Sequence, residues 1–475
     1  MNLNELIIPP NCEEMIKTYH LYYYSFYLEM ARMSNVNLND YVNKFLNLVS
    51  KLAKSPGFPN AIRSSFGLLA LYQFGYNDFS KISQIFDCLL PQTDTESVKF
   101  TSWCAGQLLH HPNLDQSRYV SHLFSRLIQW ARSKGRRARP LAAACLLDSL
   151  STRAGSVAVC FFPQLQTTLC QLVSHTSTRV LKATASAIRT FTRALIQYGR
   201  SDLEEYMTFL YHLTTQMLSL YDPIRKYAAL LIIQQLIQIY PDFFSSRFLL
   251  LFSVIQDATY DSPILVQGEA YVVCASFSQI DSKQFLDSIA DELFEKTSDV
   301  LLEFPKETAT ALCLLCESVP YYMKDQLDDL KEFVNQLTVE PNAAFILLTG
   351  MINSFGEKAL PIDPKVVSLL LNTPIISEFR DFIIASAKYD NIIPKELLTK
   401  RLIEHLKSDD PSIAISIISD SSSTVFVDHI QLFNALMPLL SSPDAELRVL
   451  VPKAMLNIHK HCVSTISTEE FFMML

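Results

Sequence analysis

The chain has 475 residues, 49% of them hydrophobic, and a formal net charge of −8. It is long enough to bury a large core, and a pI near 5.7 excludes a protein that attracts nucleic acid through its overall charge. Only 10 glycines occur, and none has GxG or GxxxxGK spacing, so the glycine-rich loops that hold nucleotide phosphates are excluded as well.

The beginning of the sequence does not resemble a signal peptide. The opening segment MNLNELIIPPNCEEM is acidic and lacks the basic and apolar regions of a signal peptide. The longest charge-free stretch, residues 154–178, contains several glutamines and threonines and is too polar to cross a bilayer. The 10 cysteines stand at irregular intervals, mostly inside apolar runs, as buried thiols do in a reducing compartment. We therefore predict a cytoplasmic protein without membrane insertion.

The segment YHLYYYSFYL near the N-terminus carries a broad aromatic face. Its members are Tyr19, Tyr22, Tyr23 and Tyr27. Such a face either caps a helical array or stacks nucleic-acid bases, and with only Lys17 and Arg32 nearby to hold phosphates, capping is favoured. We predict an N-terminal helical cap region over residues 1–54 and expect no nucleic-acid partner.

From residue 55 onward one unit recurs: an amphipathic segment, a short turn, and a second segment that opens with an aliphatic residue, a cation and a small residue. The cations that mark second segments are Arg63, Lys99, Arg139, Arg179, Arg225 and Arg448. The first four intervals are 36, 40, 40 and 46 residues. This period, with almost no strand signal, predicts an all-α fold: an α-solenoid of HEAT or armadillo-like helical hairpin repeats that runs continuously over residues 55–475.

Between Arg225 and Arg448 the marker cation is often missing, but the unit continues. The second segments there are LVQGEAYVVCASF, FPKETATALCLLC, NAAFILLTGMI, EFRDFIIASA and PSIAISII. Roughly eleven helix pairs fit the chain at the repeat length of this class. Pro140, Pro223 and Pro263 stand at or just before a second segment, where the missing N–H costs nothing.

Motifs that could carry chemistry are weak. Cys313 and Cys316 have CxxC spacing, but no second ligand pair follows and the segment is apolar, so core packing is favoured over zinc binding. His459, His461 and Cys462 alternate along a predicted helix and point to different faces, which favours a solvated helix end. No nucleophile on a glycine elbow and no kinase loop occurs. We predict no enzymatic activity, no cofactor and no metal site.

A basic turn lies between the predicted helix that ends near Trp130 and the one that begins at Pro140. Its cations are Arg132, Lys134, Arg136, Arg137 and Arg139. Positive charge at a helix N-terminus is mildly unfavourable against the helix dipole, so helix propensity does not explain it. Two interpretations stay open: a solvated or structural turn, and a docking site for an acidic partner surface. In the second, Arg136, Arg137 and Arg139 bind the partner.

The segments YVSHLFSRLIQWARSKGRRARPLAAACLLDSL and FFPQLQTTLCQLVSHTSTRVLKATASAIRTFTRAL resemble the N-terminal HEAT solenoid of the target-of-rapamycin (TOR) protein kinases. The residues that carry the resemblance are Tyr119, Val120, Trp130, Gly135, Arg136, Arg137, Phe161, Phe162, Gln164 and Gln166. The similarity is good from Val98 to Thr192 and looser to the end. The first ninety or so residues have no counterpart, and nothing resembles the kinase domain.

The resemblance implies a non-catalytic scaffold, the solenoid end of a serine/threonine kinase. In that family this region holds a Raptor-type regulatory subunit and helps to assemble a dimeric complex in growth signalling. The final segment STEEFFMML begins another helix without a polar cap, which predicts a solenoid cut short at the C-terminus. Two other classes remain open: a freestanding adaptor or transport receptor that binds peptide cargo, and a DNA-damage-type member of the same kinase superfamily.

Overall fold

The computed structural model describes the chain in the ranges 98–99, 102, 105–106, 109, 116–133, 138–258, 263–359, 377–389, 394–408, 411–422, 425–441 and 445–462. Every regular element in these ranges is a helix, which confirms the predicted all-α fold class. The predicted cap region, with its four tyrosines, and the marker Arg63 lie outside the described residues. So do the last residues, 463–475, on which the prediction of a shortened solenoid depends.

The chain forms two compact units, residues 1–213 and 214–475. In the first, the helices are α1 (Gln116–Ala131), α2 (Ala138–Arg153), α3 (Gly155–Ala158), α4 (Phe162–Val173) and α5 (Thr178–Tyr198). Helix α6 (Arg200–Leu218) contains the boundary. A 3-10 turn at Val159–Phe161 joins α3 to α4.

The second unit contains fourteen described helices. They are α7 (Pro223–Ile239), α8 (Phe248–Asp257), α9 (Ile264–Ser276), α10 (Ser282–Ser288), α11 (Ala290–Asp299), α12 (Pro305–Ser318), α13 (Pro320–Asp325), α14 (Leu327–Gln336), α15 (Pro341–Phe355), α16 (Ser377–Ser386), α17 (Lys395–Leu406), α18 (Ser412–Asp420), α19 (His429–Leu436) and α20 (Ala445–Cys462). Short 3-10 turns, such as Pro241–Arg247, extend several of them.

The helices pair in the order that a helical hairpin repeat requires. In the first unit α1 packs on α2, α2 on α5, and α4 on α5. In the second unit the second helices form a row in which each packs on the next: α7, α9, α12, α15, α16, α18 and α20. The first helices α8, α11, α14, α17 and α19 each pack on the second helix that follows. Each unit is therefore a stack of hairpins with a shared core, the α-solenoid architecture.

The second helices are the segments that the sequence predicted. Nine of the predicted second segments fall in the described ranges, and each is a helix of these rows. Their small residues permit close packing: Ala142, Ala143 and Ala144 are fully buried in α2, between α1 and α5. Large rings fill other contacts, as where Phe345 of α15 meets Phe379 of α16 edge-on at 5.3 Å between ring centroids.

The starts of the second helices follow the predicted proline signals. Pro223 is the first residue of α7, and the Oδ1 of Asp222 accepts the Ile224 N–H at 2.9 Å. Arg225 Nε lies 3.7 Å from the Asp222 carboxylate, so the residue that caps the helix also pairs with its first turn. Pro140 lies in the first turn of α2 and Pro263 directly precedes α9, both positions at which no helical N–H bond is lost.

Residues 154–178 were predicted to be too polar to cross a bilayer. They contain a helical stretch that is, by length and composition alone, long and apolar enough to do so. This stretch, Gly155–Val173, has a mean hydropathy of 1.2, and 44% of it is buried within the protein. Among the described residues it alone passes, and core helices of soluble proteins pass the same test. Leu165, Leu169 and Leu172 of α4 are fully buried, as in such a core helix.

Candidate interaction surface

A groove of about 300 Å³ opens between α2 and α5. Its lining residues are Lys99, Cys145, Asp148, Ser149, Thr152, Arg153, Ala183 and Ser186. The pairing of two second helices creates it, because Ala183 leaves space where a larger side chain would close the gap. Lys99 and Arg153 are exposed, as are the hydroxyl-bearing Thr152 and Ser186, whereas Ser149 is buried; the groove therefore presents two cations, two hydroxyls and the half-buried carboxylate of Asp148.

Asp148 ties the two helices together across this groove. Its Oδ1 accepts hydrogen bonds from the hydroxyls of Ser186, at 3.3 Å, and Thr190, both on α5. Nearby, burial and then repulsion by Arg193 lower the pKa of the Arg189 guanidinium, while the Asp148 carboxylate partly opposes them. The carboxylate thus offsets only part of a positive field.

The charge of the chain is strongly segregated around this groove. Residues 116–200 contain 13 Lys and Arg and a single acidic residue, Asp148, so this stretch has a net charge of +12 and the remainder of the chain −20. Helix α5 alone carries Arg179, Lys182, Arg189 and Arg193 and no acidic residue. The basic turn predicted from the sequence is one part of this wider segregation, which the net charge summed over a moving window of the sequence also reveals.

The basic turn is only partly described. Helix α1 ends at Ala131 and α2 begins at Ala138, close to the predicted limits. Arg136 and Arg137 lie outside the described residues. The expectation that Arg139 lies in the exposed turn is wrong: it is the second residue of α2 and is half-buried, because the helix begins two residues before Pro140.

A second groove of about 540 Å³ lies at the turn side, next to the start of α2. It is lined by Ala138, Leu141, Thr176, Ser177, Thr178, Arg179 and Val180. Neither α2 nor α5 has an acidic residue in its first turn, and the Ser177 side chain makes no capping hydrogen bond. Arg139 and Arg179 lie in the first turns of α2 and α5, where the helix ends also carry positive partial charge, and this combination favours an acidic partner over a basic one.

Charges on the second helices of the second unit form ion pairs between helices. Lys306 Nζ lies 3.0 Å from Glu378 Oε1, so α12 and α16 are linked across α15. Arg380 of α16 and Lys453 of α20 contact the carboxylate of Asp420 on α18 at 2.8 and 2.7 Å. These ion pairs stabilise the row of helices instead of presenting excess charge of one sign.

The cysteines that the sequence singled out have unreactive surroundings. Cys316 is fully buried in α12, the position that core packing assigns to it, and burial raises its pKa well above the usual value. Burial and then Glu317 raise the pKa of Cys313 to about 12, so both thiols stay protonated at neutral pH. No group of three His, Cys, Asp or Glu side chains in the part of the chain that the structure describes could hold a metal ion. The side chains of His459, His461 and Cys462 lie outside that part.

Comparisons with known proteins show no family for the chain. No family model matches the chain, and no curated protein matches it. Among solved structures, Kap95p in complex with RanGDP is 14% identical, with a TM-score of 0.44, over 92% of this chain and 61% of that one. The karyopherin Kap121p bound to Pho4p is 13% identical, with a TM-score of 0.45, over 88% and 54%. An engineered protein is 16% identical, with a TM-score of 0.31, over 87% and 98%.

These likenesses are weak, and the chain spans little more than half the length of the two Kap proteins. The TOR resemblance drawn from the sequence finds no support in the comparisons. What the structure shares with the sequence-based interpretation is coarser: the described part of the chain is an all-α protein of packed helical hairpins.

Proposed function

We propose that the chain is a non-catalytic helical-repeat scaffold that binds protein partners. The observation that carries the proposal is the packing of the described second helices: they lie side by side in rows through apolar and small residues, and an array of this kind offers an extended surface instead of a single cleft. An enzyme concentrates perturbed, accessible acids, bases or nucleophiles in a cleft. Here burial raises the pKa of the thiols of Cys274, Cys313 and Cys316, which therefore stay protonated. The accessible charged side chains are spread over a surface.

Two finer functions follow from the sequence. In one, the chain is the solenoid end of a TOR-type kinase and docks a Raptor-type subunit through Arg136, Arg137 and Arg139, within a complex that forms dimers. In the other, it is a transport receptor in the cytoplasm that binds peptide cargo. Of the structures compared, Kap95p is bound to RanGDP and Kap121p to Pho4p, so Ran and a cargo peptide are the ligands that test the second function.

The proposal is tested with the full chain and its R136A/R137A/R139A variant. Binding to a purified Raptor-type subunit and to Ran is measured at two salt concentrations. We expect the triple substitution to weaken partner binding by about tenfold, mainly through slower association and with a shallower salt dependence, because charges at the edge of an interface steer encounter. The melting temperature is measured alongside, because Arg139 is half-buried in α2 and its removal also costs packing. The R136A/R137A variant keeps Arg139 and should still weaken binding.

A matched control removes three exposed lysines of the second unit, in the variant K324A/K388A/K407A. It changes the net charge by the same amount and should leave binding unchanged. Equal loss in both triple variants would show that overall charge, and not the turn, controls binding. Reproducible ATP hydrolysis or protein phosphorylation by the purified chain would overturn the non-catalytic part of the proposal.

A further inference from the structure

The groove between α2 and α5 lies at the centre of the basic stretch. Lys99 and Arg153 line it, and Lys182 lies on the same stripe of α5 one turn before Ser186. Arg189 and Arg193 continue the stripe beyond it. At 1.5 Å per residue the cations of α5 from Lys182 to Arg193 extend over about 16 Å, which an extended peptide covers with about five residues.

Hydrogen-bonding groups in the groove favour one class of anion. Both hydroxyl bonds to Asp148 end on Oδ1, which leaves Oδ2 to accept a further hydrogen bond. A polypeptide supplies N–H donors for this oxygen as well as carboxylates for the cations. A phosphodiester chain supplies anions but no backbone donor, so it gains no hydrogen bond to offset the repulsion that the Asp148 carboxylate exerts on any anion in the groove.

We propose that this groove binds an acidic segment of a partner protein in extended conformation. Carboxylates of the segment pair with Lys99, Arg153 and Lys182, and a backbone N–H donates to Asp148 Oδ2. The charge segregation supplies the driving force for encounter: a stretch of net charge +12 recruits an acidic segment from a distance, and the groove then fixes its position. The inference rests on the proposed function in one respect: both require that the partner is a protein.

The test uses the full chain and a fluorescently labelled peptide of about twelve residues, rich in Asp and Glu, which is long enough to span the cation stripe. A neutral peptide of equal length is the reference. The variant K99Q/R153Q/K182Q should bind the acidic peptide about tenfold more weakly, because three exposed ion pairs are lost. The variant K324Q/K388Q/K407Q removes equal charge from the second unit and should bind within about twofold of the wild type.

A steric variant separates the groove from the general charge. Ala183→Trp fills the groove without changing any charge and should weaken peptide binding by about tenfold. Ala183→Leu is the smaller alternative if the Trp variant melts at a lower temperature. Wild-type affinity in a folded Ala183 variant would overturn the assignment of the groove and leave diffuse charge attraction as the explanation.

Asp148→Ala distinguishes the two classes of anionic partner. It should weaken peptide binding by about fivefold, because the N–H acceptor is lost, and strengthen binding of a single-stranded oligonucleotide of equal charge, because a repelling carboxylate is removed. Asp148→Asn keeps an acceptor oxygen and should bind peptide better than the Ala variant. Tighter binding of the oligonucleotide than of the peptide to the wild-type chain would overturn the proposal in favour of nucleic acid.

The experiments distinguish a wrong assignment of the groove from a wrong proposed function. If a full-length partner binds normally while neither groove variant changes its affinity, the groove assignment is wrong and the scaffold function stands. If the acidic peptide binds in the groove but neither a Raptor-type subunit nor Ran binds the chain, the groove assignment stands and both finer functions fail.

Discussion

Asp420 shows how a single residue can join three helices of the second unit. Its carboxylate lies 2.8 Å from Arg380 of α16 and 2.7 Å from Lys453 of α20. Burial by itself would raise the pKa of this carboxyl group, but hydrogen bonds from Lys453, Arg380 and Ser419 outweigh it and hold the pKa far below its usual range. Because the folded-state pKa is depressed, the ionised form contributes stability that is present above the pKa of the unfolded chain.

Asp420→Asn should therefore destabilise the protein at neutral pH by about 1–2 kcal/mol, the lower part of the range for hydrogen bonds to charged groups, since a quarter of the Asp420 side chain is exposed. The difference from wild type should stay constant down to about pH 4, the pKa of an unfolded aspartate, and shrink as the pH falls towards the depressed folded pKa. Urea denaturation at pH 7, 5 and 2.5 measures it.

Asp381→Asn is the matched control, because Asp381 also contacts Arg380 but is 59% exposed and bridges no second helix. It should change the free energy of unfolding by less than about 0.5 kcal/mol. A penalty for Asp420→Asn that is equally large at pH 7 and pH 2.5 would show that packing, and not the ionised carboxylate, is responsible.

At the scale of the helices, the contact between α12 and α15 shows why the second helices could be predicted from the sequence. A Cβ atom added at Gly350 of α15 would lie 2.6 Å from the Sγ and 2.9 Å from the Cα of Cys313 on α12, so the two backbones approach closely. Second helices are flanked by other helices on several sides and consist of long apolar runs with small residues at such contacts. The first helices bury one face only, as in α14, whose sequence is LDDLKEFVNQ. The residues at which such helices begin and end depend on contacts with other helices, which the local sequence does not specify.

Gly350→Ala should destabilise the protein by about 1–3 kcal/mol, as expected when a methyl group is forced into a filled contact. Thermal and urea denaturation measure the change. The C313A/G350A variant should recover part of the loss, because it removes the Sγ contact but not the backbone contact. Thr349→Ala, at a half-exposed neighbouring position, is the control for helix propensity. A stabilised Gly350→Ala variant would contradict the close approach of α12 and α15.

At the scale of the whole chain, the sequence predicted the architecture better than the surface. Helical period and small residues are local signals, and they place the repeats. The groove depends on which sides of α2 and α5 face each other, and only packing determines that. The charge segregation can be counted from the sequence. Only the structure shows that the one acidic residue of the basic stretch, Asp148, bonds to α5 across the groove.

The same segregation predicts opposite responses to salt in two parts of the chain. In helices α2 and α5 the cations repel each other, and raising ionic strength from about 0.01 to 0.1 M shortens the screening distance from about 30 to 10 Å. Local stability there should rise. In α16 and α18, the network of Arg380, Asp420 and Lys453 is attractive, so screening should lower the local stability slightly.

Hydrogen exchange followed by mass spectrometry measures both helix pairs in one sample of the full chain, because amide protection reports local opening segment by segment. Protection of α2 and α5 should increase with salt while that of α16 and α18 stays constant or decreases. The K99Q/R153Q/K182Q variant serves as the control, since it removes part of the repulsion and should show a smaller salt response in α5. A parallel rise in both helix pairs would show that salt acts on the protein as a whole, and would contradict an unbalanced positive field in the first unit.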